Sequence, residues 1–126
     1  MLFRSSSSMH ELSLSLYDIP LRDAVLSMSA VDDGKARPAI ATLLEAMRHR
    51  STLGAAIPVN TCAAAMRYLD GDTESAALLV QSILDADEYS LARLLSNGLE
   101  MRAPASLLAR SFSHWNPQDL LMERAA

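Results

Sequence analysis

At 126 residues and 13.7 kDa the chain has material for one hydrophobic core and too little for two ordinary domains. Half of it is hydrophobic but only 5% is aromatic, so Leu, Ala, Met and Val must build the core, a composition that favours helix and leaves little for a β-sandwich. A net charge of −4 argues against a nucleic-acid partner, and the single cysteine, Cys62, excludes an internal disulfide and suits a reducing cytosol.

Residues 1–8 hold one arginine and a serine run but lack the apolar centre of about 7–15 residues that a secretion leader needs. No apolar stretch reaches the roughly 18 residues of a membrane span, so a soluble, cytoplasmic protein is expected. Residues 1–10 read as a flexible N-terminus and residues 11–126 as a single helical domain. Residues 11–17 (ELSLSLY) alternate Leu12, Leu14 and Leu16 with Ser13 and Ser15, the period of two that marks a strand. No other segment reads as a strand, so this one would have to pair with a second copy or another protein. The alternative is an irregular or helical lead-in whose leucines cover a bundle.

Residues 20–31 (PLRDAVLSMSAV) place Leu21, Ala24, Val25 and Met28 at helical spacing, with a proline near the first turn, and Asp32-Asp33-Gly34 ends that helix in a loop. Residues 36–50 set Ile40, Leu43, Leu44 and Met47 on one face, with Arg48, His49 and Arg50 at the negative C-terminal end. Residues 51–57 connect to the stretch around which the chain is organised, residues 59–99. There Val59, Cys62, Ala63, Met66 and Leu69 form one stripe, with Pro58 in the first turn. Gly71 suits the left-handed residue that closes a helix, and Asp72 can cap the next one, with Glu74 favourable near its positive end. Ala76, Leu79, Val80, Ile83 and Leu84 make a second stripe, antiparallel to the first across a turn of about three residues. Asp85, Asp87 and Glu88 interrupt the pattern, and Ser90 can cap a third helix carrying Leu91, Leu94, Leu95 and Leu99. Pro104 restarts a short helix, and Asn116-Pro117 opens a last turn after the only tryptophan, Trp115.

Ala64, Gly71, Asp72 and Ala76 occupy the small and turn positions of a tetratricopeptide unit, which the hairpin resembles; Ile83 and Glu88 depart from that pattern, and no second copy follows at a period of about 34 residues. The pieces PLRDAVL, GDTESA after residues 64–69, and DADEYSLARLL followed by NGL and Pro104 are similar to the C-terminal part of the actinobacterial domain-of-unknown-function family 4192. The resemblance covers residues 21–104 and rests chiefly on Gly71-Asp72 and residues 87–95, with Glu88 where the family usually has proline. It implies no activity, and family members usually carry a large additional N-terminal region.

Together these readings describe an all-α bundle built on a tetratricopeptide-like hairpin. Its candidate chemistry is thin. His10, His49 and His114 stand at no metal-ligand spacing with one another or with Cys62. Asp70, Asp72 and Glu74 lack the remaining ligands of a calcium loop and read as capping residues, and the acids at 85–88 read as a solvated turn. There is no nucleophile elbow around a serine to join His114 and Asp119, and no phosphate-cradling glycine loop. No catalysis, cofactor or metal is expected. Seven methionines, few charges and a positive mean hydropathy instead leave a small bundle with more apolar surface than it can bury. The expected function is a protein–protein interaction module that docks a partner or a second copy, as a homodimer, with no nucleic acid and no membrane. Its expected interface residues are Leu12, Leu14, Leu16, Phe112, Trp115, Leu120, Leu121 and Met122, although the C-terminal set can equally fold back to close the bundle. Three other readings have less support: a small phage- or plasmid-type regulatory protein that modulates a host protein, a helical DNA-binding factor resting on residues 48–50, and an enzyme.

Overall fold

The structure, a computed structural model, describes residues 6–51, 53–83 and 88–114, with side chains from Glu11 onward and, beyond residue 52, from Ala56. Among these residues every regular element is helical: α1 (Ser6–Ser15), α2 (Ile19–Ala30), a 3-10 turn (Asp32–Gly34), α3 (Arg37–Arg50), α4 (Leu53–Leu69), α5 (Thr73–Gln81), α6 (Ser90–Glu100) and α7 (Ala105–Ser113). The all-α class expected from composition is the one found. None of these helices is long and apolar enough to cross a membrane.

Helix α4 is the axis, packed against each of the other six. Its sequence explains the position. Six successive residues, Thr61 to Met66, are buried, as are Val59, Tyr68 and Leu69. A helix that is apolar on all sides belongs inside, and the short side chains of Cys62, Ala63, Ala64 and Ala65 let neighbours come close. The single stripe read from the sequence is thus only part of a circumference that is buried from Thr61 to Leu69 at every position but Arg67. Pro58 lies inside α4 rather than in its first turn, because the helix already begins at Leu53. Its ring removes one backbone hydrogen bond, a loss that packing of the buried ring offsets.

The junction between α4 and α5 follows from local chemistry. Gly71 takes φ +84°, its N–H donates to the Tyr68 carbonyl and the Asp72 N–H donates to the Arg67 carbonyl, both at 2.9 Å. This paired closure requires a left-handed residue, for which glycine has no steric penalty. The Asp72 carboxylate then accepts the Ser75 N–H at 3.1 Å, and α5 lays Ala76, Leu79 and Val80 against its neighbours. Helix α6 begins differently from expectation. Ser90 is its first helical residue, not its cap; the Ser90 hydroxyl accepts from Arg22 Nη1 at 3.3 Å, and the capping position falls to Tyr89.

The strand considered for residues 11–17 is not formed: α1 covers Ser6–Ser15 and ends in a tight turn. The described residues offer no other strand to pair with, whereas a helix satisfies its own backbone. The alternation is also not sorted by burial, since Ser13 is buried on the Ser51 hydroxyl at 2.7 Å and Leu14 is 41% exposed. Leu12 and Leu16, four residues apart, share the inward side instead. Helix α1 starts at Ser6, inside the tract expected to be flexible, and residues 1–5 lie outside the described residues.

Helix α2 has an unusual division of labour. Its fully buried positions are Arg22, Ala24, Leu26, Ser27 and Ser29. At 100° per residue the four other than Ala24 flank, on both sides, the stripe Leu21, Ala24, Val25 and Met28 that periodicity marks, of which Ala24 alone is buried. That stripe is only partly covered, with Met28 36% exposed. In α3 the same happens by halves: Leu44 and Met47 are buried while Leu43 remains 37% exposed.

Candidate functional site

Two constellations stand out, one polar and buried, one apolar and open. The polar one gathers where the turn after α1 meets the start of α6. Arg22 is buried; its Nε and Nη2 donate to Asp23 Oδ1 at 3.0 and 2.9 Å, and its guanidinium lies 5.3 Å from the centre of the Tyr89 ring. The Tyr89 hydroxyl donates to the Leu16 carbonyl at 2.9 Å, and the Tyr17 ring meets Tyr89 edge-on at 5.9 Å. Burial works against the Arg22 charge, but the Asp23 hydrogen bond and the surrounding charges outweigh it and raise its pKa. Cys62 lies fully buried in the same field, and burial pushes its thiol up to about 12. Burial likewise raises the Tyr89 phenol. A nucleophilic cysteine needs the opposite shift. The constellation therefore holds α1, α2 and α6 together, and among the described residues no buried side-chain polar atom lacks a hydrogen-bond partner.

A second polar network ties α3 to α4 and α5. Glu45 receives Arg48 Nη1 at 2.6 Å and Arg67 Nη2 at 2.9 Å, while Arg48 Nε donates to Asn60 Oδ1 at 2.8 Å. Burial would raise the Glu45 carboxyl, but the hydrogen bonds from Arg67 and Arg48 bring it below the ordinary carboxylate range. Arg48, one of three residues that suggested DNA binding, is thereby committed within the protein.

The open constellation is a groove of about 200 Å³ between α1, α2 and α3. Leu12, Ser15 and Leu16 come from α1, Leu21, Val25 and Met28 from α2, and Ile40, Leu43, Leu44 and Met47 from α3. The one hydroxyl on this wall, that of Ser15, donates to the Leu12 carbonyl of its own helix. The groove thus offers contact with side chains of aliphatic character and no hydrogen bonds. Two other depressions differ. One of about 530 Å³ beside Gly71 and Pro104 carries Glu74 and Arg102, both exposed and of opposite sign, and the Tyr68 hydroxyl at its edge is used on the Ala103 carbonyl at 2.6 Å. The other, about 220 Å³ between α6 and α7, sets the exposed Asn97 beside Leu94, Met101 and Leu107, all three exposed, and its Ser111 hydroxyl donates to the Leu107 carbonyl at 3.1 Å. Among the described residues no group of three or more His, Cys, Asp or Glu is placed to hold a metal ion.

Of the interface residues named from sequence, the structure brings Leu12 and Leu16 into the groove, Leu16 as its buried floor. Leu14 is exposed but does not line the groove. Phe112 is enclosed in the core, closing the bundle rather than lying on an outer face. Trp115, Leu120, Leu121 and Met122 lie outside the described residues. Sequence reasoning did not name Leu21, Val25, Met28, Ile40 or Leu43 among the interface residues, although their helical periodicity is legible.

No protein-family model matches the chain, and neither a curated protein nor a solved structure does.

Proposed function

We propose that this chain is a non-enzymatic protein–protein docking module, and that the groove between α1, α2 and α3 is where it docks. One observation carries the reading: three helices converge their apolar stripes on a single concave surface that has no free hydrogen-bonding group and keeps Met28 and Leu43 at its rim partly exposed. An apolar surface of that kind is stabilised by a protein contact and not by a polar substrate. The neutral Cys62 thiol and the fully engaged Arg22 fit a structural rather than a catalytic use of the buried polar groups. The same proposal includes a cytoplasmic setting, no cofactor, and kinship with the actinobacterial domain-of-unknown-function family 4192, which is supported by Gly71-Asp72 and residues 87–95 and adds no activity.

The test compares the full chain with Leu43→Glu, which changes a rim position and leaves the buried core intact. Sedimentation velocity over a wide concentration range and capture from an actinobacterial lysate are run on both, with far-UV circular dichroism as the fold control. The expected result is an assembly or a captured protein that the wild type shows and Leu43→Glu loses. A wild type that stays monomeric and captures nothing beyond what the variant captures refutes the reading.

A further inference from the structure

We infer that the chain's own C-terminal segment, residues 115–126, folds back on the open face between α6 and α7 and covers it. That face is separate from the groove of α1, α2 and α3, with which it shares no residue. Helix α7 has two sides of different character. Phe112 is enclosed in the core, while Leu107 and Ser111 line the depression shared with Leu94, Asn97 and Met101. Leu94 and Leu107 are each 49% exposed and Met101 80%. The Ser111 and Tyr68 hydroxyls on this face donate to the Leu107 and Ala103 carbonyls, which leaves Asn97 as the polar side chain of an otherwise aliphatic surface.

Area and the course of the chain select the occupant. Leu94, Met101 and Leu107 together leave roughly 300 Å² in water, the size of a functional patch but well under the about 800 Å² per partner of a standard interface. A second copy meeting this face across a twofold axis would therefore bury too little to hold. A tethered segment needs far less, because linkage supplies a local concentration in the millimolar range. The described chain ends at His114, which caps α7 three residues after Ser111, so the residues that follow leave from the edge of this face. They read WNPQDLLMERAA, with the turn signal Asn116-Pro117 ahead of three consecutive apolar residues, Leu120, Leu121 and Met122. Leu107 lies about 10 Å back along α7 at 1.5 Å per residue, and Leu120, six residues beyond His114, has a reach of about 20 Å. The anchors thus span the distance back to Leu107 and onward to Met101. The groove of α1, α2 and α3 includes no residue of α7 and gives the segment no such start.

The test uses the full chain labelled in its leucine and methionine methyl groups, with Met28 and Met47 as reporters of the other groove. Nuclear Overhauser contacts are expected from Leu120, Leu121 or Met122 to at least one of Leu94, Met101 and Leu107. They should be independent of protein concentration and absent between chains in a sample mixed from two labelling patterns. Leu121→Ala should move the Met101 methyl resonance and leave those of Met28 and Met47 in place. Urea midpoints read the same contact by a second route. Met101→Ala spares the core, since Met101 is 80% exposed, and it and Leu121→Ala should each lower the midpoint. The double variant should lose about as much as one single variant and not the sum of the two. Contacts found only between chains, or growing with concentration, identify a second copy and overturn the inference while leaving the docking reading in place. Absent contacts or additive losses do the same. Contacts from the segment to Met28 or Met47 put it in the groove of α1, α2 and α3 and overturn both the inference and the docking reading.

Discussion

Replacing Gly34 by alanine is expected to destabilise the chain by about 1.5 kcal/mol more than replacing Gly71, and the difference isolates one arginine. Both glycines have left-handed backbones, φ +76° and +84°, so an alanine at either place costs about 1 kcal/mol in backbone strain. A Cβ at Gly71 meets nothing within 4 Å, and the cost stops there. A Cβ at Gly34 falls 2.6 Å from Arg37 Nη1 and 2.8 Å from Cζ, a separation that forces the guanidinium aside. The tip of a flexible side chain can move, but moving it breaks the bonds to the Ser29 carbonyl and to Asp70. The first, from a charged donor to a part-buried acceptor, contributes about 1 kcal/mol, and the second, to a carboxylate 57% exposed, about 0.5 kcal/mol. Urea titration followed by circular dichroism reads both variants, valid where the slope is unchanged. In an Arg37→Ala background the gap should close, since nothing is left to displace. Equal costs for the two alanines, or a gap that persists without Arg37, refutes the reasoning.

Arg102 ends α6 at φ +55°, with its N–H on the Leu99 carbonyl and the Ala103 N–H on the Gly98 carbonyl, so Arg102→Gly should stabilise by about 0.5–1 kcal/mol and raise the thermal midpoint by about 3 °C; a lower midpoint would mean that the Arg102 side chain contributes more than the strain it imposes. Cys62 should resist thiol reagents at neutral pH until denaturant unfolds the chain, because the buried thiol is neutral and enclosed. Its folded pKa, about 12, lies above the ordinary 9.0, so its contribution to stability is complete below 9.0 and is lost as pH rises toward the folded value; the urea midpoint should fall over that window, less steeply in Cys62→Ala. Glu45 has the opposite sign: its folded pKa is below the ordinary 4.5, so its contribution is present above 4.5 and disappears as pH falls through the folded value. Glu45→Gln should therefore cost about 0.5 kcal/mol at neutral pH, a small figure because the carboxylate is 39% exposed, and nothing in strong acid, as read from urea midpoints across an acid series.

What could be read in advance was what short stretches decide by themselves. Gly71 and Asp72 close one helix and cap the next with groups no more than five residues away, and the hairpin they make is present. What could not be read depends on distant partners. Residues 11–17 alternate as a strand would, yet Leu12 and Leu16 also stand one helical turn apart, and the absence of a pairing strand among the described residues decides for helix. Ser90 has the chemistry of a cap, but Arg22, 68 residues earlier, claims its hydroxyl. The groove was half legible: the stripes of α2 and α3 are plain in the sequence, while their coverage depends on how the neighbouring helices are set. The signal that could have found it is the excess of apolar positions over what a chain of this length can enclose.

The arrangement of α2 shows why the groove remains open. Three of its five fully buried residues, Arg22, Ser27 and Ser29, are polar, while Leu21, Val25 and Met28 are only partly covered, the inverse of the usual sorting. Serine is small enough for α2 to approach its neighbours closely, and Ser29 discharges its hydroxyl on the Leu26 carbonyl at 2.6 Å. Arg22 is tolerated inside because Asp23, Tyr89 and Ser90 meet it. Turning α2 to bury its apolar stripe would break those bonds and leave a buried charge unpaired, at a cost of several kcal/mol. Covering the remaining third or so of Met28 and Leu43, with smaller fractions of Leu12, Val25 and Ile40, returns only about 3 kcal/mol. Rotation of α2 is therefore the worse solution, and the groove stays open.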